Sequence, residues 1–253
     1  GHIHFGHRLF KIEFNDQDQD WVQQAVDQFG GGEKIISLAR STGRYIPDCP
    51  SEKQPIVIMR DLLQIQANIK ITQLGQYLDN LLTIPLMFVE IPEHARSRKN
   101  LYGRLTDTWA QFHGFEYRTC PSWLASKDLT EAVLSLGYAV ANDFIKHDYQ
   151  PAIPLITKRA GFGDLYRQHN LDFIRPFLPK ITSEIRHNLP TYKTYKRQID
   201  FLLRAANANR LLMTEEIKIG WHIPFRVIKN IALMTVKELT LKISETLTAG
   251  QAM

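Results

Sequence analysis

Leu129, Val133, Leu136, Ala139, Val140 and Phe144 stand three and four residues apart, which places them on one face of a helix. Ser126 just ahead of them is a side-chain cap, so the pattern predicts a helix over 127–147. A second stripe, Leu62, Leu63, Ile65, Ile69, Leu74, Leu78 and Leu81, follows Pro55 and predicts a long helix over 55–82 with a break near Lys70. Trp21, Val22 and Val26 give a shorter helix over 17–29, and the pattern around 171–177 gives another. Residues 3–14 alternate, with Ile12 and Phe14 opposite Lys11 and Glu13, which reads as a strand. Residues 85–91 (PLMFVEI) have the apolar density and length of a buried strand and are expected to pair with 3–14. Between them 34–42 is short and apolar and 47–53 is a loop, while Pro151 and Pro154 impose an extended connector. Trp109, Phe112, Phe115, Tyr117 and Trp123 crowd into one stretch and are read as core.

Residues 196–247 divide at two punctuation points. Gly220 closes a helical pattern carried by Ile199, Leu202, Leu203, Ala206, Leu211 and Leu212. Pro224 then opens a short helix with Phe225, Ile228, Ile231 and Ala232 on one side and Arg226, Lys229 and Asn230 on the other. Thr235 to Glu238 reads T-V-K-E, a capping box that starts a third helix with Val236, Leu239, Leu241, Ile243 and Leu247 inward. A rival arrangement is a ribbon-helix-helix, with Ile217, Ile219, Trp221 and Ile223 facing inward from an intermolecular strand while Lys218 and His222 point into a groove. The expected fold is mainly α (α+β): a helical body over 1–179 with a small β element (3–14 and 85–91), followed by a basic unit over 180–253.

Charge sharpens that division. Residues 180–242 hold twelve Lys and Arg against five acids, a net of +7, whereas 1–90 hold eight against eleven, a net of −3. A basic helical unit on a near-neutral body suits a polyanion, above all nucleic acid. Under that reading Arg226, Lys229 and Lys237, with Lys218 and His222, face DNA, while Lys193, Lys196, Arg197 and the loop cations Arg96, Arg98 and Lys99 grip phosphates. Each of these is individually an ordinary surface cation. No run of eighteen apolar residues exists, so no membrane partner is expected, and two distant cysteines (Cys49 and Cys120) fit a reducing, cytoplasmic compartment. The start, GHIHFGH, shows no signal peptide and reads as trimmed or processed.

Candidate chemistry is sparse. His2 and His4 share a strand face without an acidic or cysteine partner nearby in sequence, so no metal site is expected. Asp16, Asp18 and Asp20 imitate the start of a calcium loop, but Trp21 stands where glycine is needed, and an acidic helix N-terminus explains them. Residues 30–34 (GGGEK) lack the GK[ST] ending of a phosphate loop and read as a hinge closing a helix. No clustered carboxylates or histidine–tyrosine set for a nuclease or relaxase stands out, so neither a catalytic residue nor a cofactor is expected and the chain is read as a non-enzyme.

Two resemblances add to this. Residues 219–247, with Ile219 and Gly220, Leu233 to Thr235 and Leu239, resemble the helical DNA-binding portion of FlhD-type flagellar regulators. KIISL at 34–38, IPLMF at 84–88, NLYGR at 100–104 and the 129–144 helix resemble AcaB-type transcriptional activators of IncC plasmid conjugation and related proteins of integrating conjugative elements. The resemblance implies a bacterial cytoplasmic regulator that binds double-stranded promoter DNA as a homodimer and activates transfer genes, with RNA polymerase as a further partner. The alternative is a non-catalytic structural or accessory component of a conjugation or DNA-processing complex.

Overall fold

The computed structural model describes residues 2–90, 103–120, 123–124 and 126–210. Among these the fold is mainly α with one three-stranded antiparallel sheet in the order β1-β3-β2, formed by β1 (Ile3–Gly6), β2 (Thr108–Gln111) and β3 (Gly114–Tyr117). The predominantly helical expectation holds.

Two apolar clusters organise the helices. Val22 and Val26 of α1 (Gln19–Phe29) pack with Ile35 and Ala39 of α2 (Gly32–Ser41) and with Ile58 and Met59 of α3 (Gln54–Leu78). Gly30, at φ +105°, closes α1 in the left-handed conformation, so the glycine run is the expected hinge. Asn15 caps the short 3₁₀ turn Asp16–Asp18 with a capping box, and Asp18 pairs with Lys11 at 2.6 Å, so these acids form a helix N-terminus.

The larger cluster surrounds α5 (Lys127–Lys146), whose predicted stripe from Leu129 to Phe144 is buried throughout. Ser126 caps it, accepting a hydrogen bond from the Leu129 amide at 3.2 Å. Into this core pack α6 (Phe162–Arg167), α7 (Leu171–Ile174), α8 (Leu178–Asn188) and α9 (Lys196–Asn207), with Ile181, Ile185, Ile199, Leu202 and Leu203 all buried. The position expected to divide body from basic unit, between 179 and 180, falls inside α8.

Several expectations are corrected. The strand expected at 85–91 is not formed over its described part, 85–90: α3 widens into a π turn over Asp79–Thr83 and continues as α4 (Ile84–Met87), with Pro85 in its first turn. Ile84, Leu86, Met87, Phe88 and Val89 are all buried, and a segment apolar on every side carries no periodicity to separate helix from strand. The partner of β1 is therefore β3. Beyond Gly6 the expected 3–14 strand turns into a 3₁₀ segment, Arg8–Phe10, that drives Phe10 into the core. α3 runs through Lys70 unbroken, and Ile65 and Ile69 face outward at 42% and 53% exposure. Helix α9 ends at Asn207, with Asn209 left-handed at φ +50°, and residues 211–220 of the pattern expected to reach Gly220 lie outside the described residues. The helices expected at 224–234 and 235–247, and the ribbon-helix-helix alternative, lie outside the described residues.

Candidate functional site

Strand pairing places the chemistry. In β3, Phe115 and Tyr117 point inward, and alternation turns Glu116 outward. Register sets Glu116 between His4 of β1 and Trp109 of β2. The His2 imidazole contacts the Glu116 carboxylate, and the Arg118 guanidinium lies over the Trp109 ring at 5.1 Å. The Arg118 Nε–H is shielded from water and has no hydrogen-bond acceptor. A guanidinium carries five N–H donors and no acceptor, so Arg118 retains capacity to bind an anion through its fork. Trp109 is 59% exposed beside it, so a carboxylate, a guanidinium and a flat aromatic ring share one open sheet face.

The strand's inner face is held by a buried polar node. Tyr117 OH donates to Asp79 Oδ1 at 2.6 Å and Thr106 Oγ1 donates to Asp79 Oδ2 at 2.6 Å. With its one proton given to Asp79, Tyr117 accepts from Thr83 Oγ1 at 2.7 Å. Burial pushes the Asp79 carboxyl up to about 6, although these donors pull the other way. Burial and the Asp79 charge hold the Tyr117 hydroxyl well above its usual range. Loop 103–107 is tied to the end of β3: the Arg118 amide donates to the Asp107 carbonyl at 2.8 Å, and Thr119 Oγ1 donates to the Arg104 carbonyl at 2.8 Å. Tyr166 OH donates to both the Gly103 and Thr119 carbonyls, at 3.1 and 3.2 Å. Gly114 is required where β1 crosses, because a Cβ there would lie 1.9 Å from the Phe5 carbonyl oxygen.

Of the residues expected to touch DNA, Lys193, Lys196 and Arg197 are among those described. Lys193, Lys196 and Arg197 are exposed around the start of α9, and Lys196 is ion-paired with Asp200. Arg186 also holds Asp200, at 3.0 Å. Arg96, Arg98, Lys99, Lys218, His222, Arg226, Lys229 and Lys237 lie outside the described residues. His2 and His4 do share a face, with Glu116, an acid from more than a hundred residues away; among the described residues no group of three or more His, Cys, Asp or Glu is arranged to hold a metal ion. No helix among them is long and apolar enough to cross a membrane.

Sequence reasoning passed over Glu116, Arg118 and Asp79, and read Tyr117 as core alone. The available signal was the alternation Phe115, Glu116, Tyr117, Arg118 behind Gly114, a strand pattern that aromatic density masked.

Residues 64–223 match the family described as phage phiEco32-like COOH.NH2 ligase-type 2. No curated protein and no solved structure matches the chain. The expectation of a non-enzyme is overturned by the family match, because the family's description names a ligase type. The matched stretch is well over half of the chain and includes β2, β3, the Asp79 turn and α5, and the chain belongs to this phage phiEco32-like COOH.NH2 ligase-type 2 family.

Proposed function

We propose that the chain joins a carboxyl group to an amine, with the outer face of the β2–β3 hairpin as its reaction surface. The family match over 64–223 carries this reading, and Glu116 and Arg118 on one sheet face, the first held by His2 and the second stacked on Trp109, support the choice of surface. A carboxylate is a poor electrophile and has to be activated, and the class of co-substrate suited to that is a nucleoside triphosphate. In a first step a carboxylate oxygen attacks the terminal phosphorus and the bond from that phosphorus to its bridging oxygen breaks, giving an acyl phosphate and a nucleoside diphosphate. In a second step the amine nitrogen attacks the acyl carbon, the carbon–oxygen bond breaks with its electron pair leaving on phosphate, and the nitrogen gives up a proton.

The side chains suit these needs. The planar Arg118 guanidinium binds phosphate or carboxylate oxygens in a fork, held in orientation by Trp109. Glu116 accepts the amine proton, and His2 orients its carboxylate. The test uses the full chain with ATP, hydroxylamine as the amine and a panel of amino acids and dicarboxylic acids. Hydroxamate is expected from at least one carboxylate, with an equal amount of phosphate. A folded chain that forms none, or that releases phosphate at the same rate without carboxylate, contradicts the reading.

A second reading, DNA binding, is favoured by the net charge of +7 over 180–242. It is compatible with a ligase body. A gel-shift titration across salt with the triple alanine variant at 96, 98 and 99 and with Arg226→Ala and Lys229→Ala addresses it. Tight, salt-sensitive binding weakened by these changes supports it, and absence of binding at low salt removes it.

A further inference from the structure

Helix α3 and the π turn that follows it pack against the hairpin and its loop around one buried carboxylate, Asp79. A Cβ at Gly75 would lie 2.9 Å from Thr106 Cγ2 and 3.3 Å from Thr108 Cγ2, so the helix passes this close only because it lacks a side chain there. One turn later, inside the π turn, Asp79 reaches the same loop. Thr106 sits at φ +55°, a left-handed conformation that a β-branched residue rarely adopts. Asp79 accepts from both its hydroxyl and its backbone amide, and from Tyr117 on the adjoining strand. An ionised carboxylate is acceptor-only, so it turns all of these protons toward one point.

We propose that Asp79 is a positioning residue for the ligation: by clamping Thr106 in its strained conformation and Tyr117 beneath the sheet, it fixes the spacing of Glu116 and Arg118 on the outer face. This rests on the ligase reading above. Glu116 and Arg118 flank Tyr117 in sequence, so an anchor on the inner face sets where their backbones stand. Strain held by a surrounding network is a recurring device of sites that need fixed geometry. A displacement of about 1 Å at reacting groups costs on the order of a hundredfold in rate. Asparagine at this position keeps an acceptor for Tyr117 but turns a donor toward the Thr106 amide.

Hydrogen–deuterium exchange of the full chain, alongside hydroxamate kinetics, tests this. For Asp79→Ala, amides of 103–111 and 114–120 are expected to exchange roughly tenfold faster while α5 is unchanged, a local opening. Its kcat is expected to fall about a hundredfold with KM for ATP within about threefold. Asp79→Asn is expected to loosen 103–107 and leave 114–117 protected, and Tyr117→Phe to loosen 114–120 alone. Unchanged hairpin exchange in Asp79→Ala, or equal acceleration in α5, overturns the proposal. A parent chain without ligase activity removes the reaction and the positioning role with it, while hairpin exchange still decides whether the clamp exists.

Discussion

Asp79 is a carboxyl with no cation among its hydrogen-bond partners, buried with 0% exposure and titrating at about 6 against an ordinary value of 3.8. The folded chain therefore binds a proton more readily than the unfolded one between those values. Its contribution to stability is complete below about pH 4 and is lost as pH rises through 6, a difference of roughly 3 kcal/mol. Asp18 and Asp200 act oppositely: burial raises both, but Lys11 around Asp18 and Lys196, Tyr192 and Arg186 around Asp200 more than offset it, so their contribution is lost as pH falls below 4. Asp79→Asn is expected to flatten the stability curve between pH 4 and 7 and leave the acid limb alone, as measured by urea denaturation at stepped pH. None of this was legible in sequence. Asp79 is one acid at the end of an apolar stripe, and its partners Thr106 and Tyr117 are 27 and 38 residues away.

Whether an element could be read in advance depended on whether it has two unlike faces. Helix α5 has a polar side and a cap, and both were visible in the spacing of Leu129 to Phe144 behind Ser126. Ser126→Ala is expected to cost about 1 kcal/mol in thermal denaturation, since the Leu129 amide loses its acceptor. Helix α4 has no polar side, and β3 was hidden because Phe115 and Tyr117 were counted as aromatic core rather than as alternate positions of a strand. Both are core, and the residues between and after them are the candidate site. Gly114→Ala drives a Cβ against the Phe5 carbonyl and is expected to destabilise the chain by about 3 kcal/mol or more, with loss of β1–β3 pairing in its amide spectra.

For the whole molecule, charge suggested a body and a separate basic unit, yet Ile181, Ile185, Tyr192, Ile199, Leu202 and Leu203 belong to the same core as α5. Net charge describes surfaces and does not report where apolar side chains lie. A chain ending at residue 179 is expected to lose cooperative melting in calorimetry, because α5 would be left with an uncovered apolar face. Hydroxamate formation by the parent, Glu116→Gln and Arg118→Ala, measured side by side at matched melting temperature, probes the reaction surface most directly. The expected result is turnover by the parent and a loss of at least about a hundredfold in each variant. Turnover by both variants at the parental rate would place the chemistry elsewhere on the molecule and contradict the assignment of the β2–β3 face.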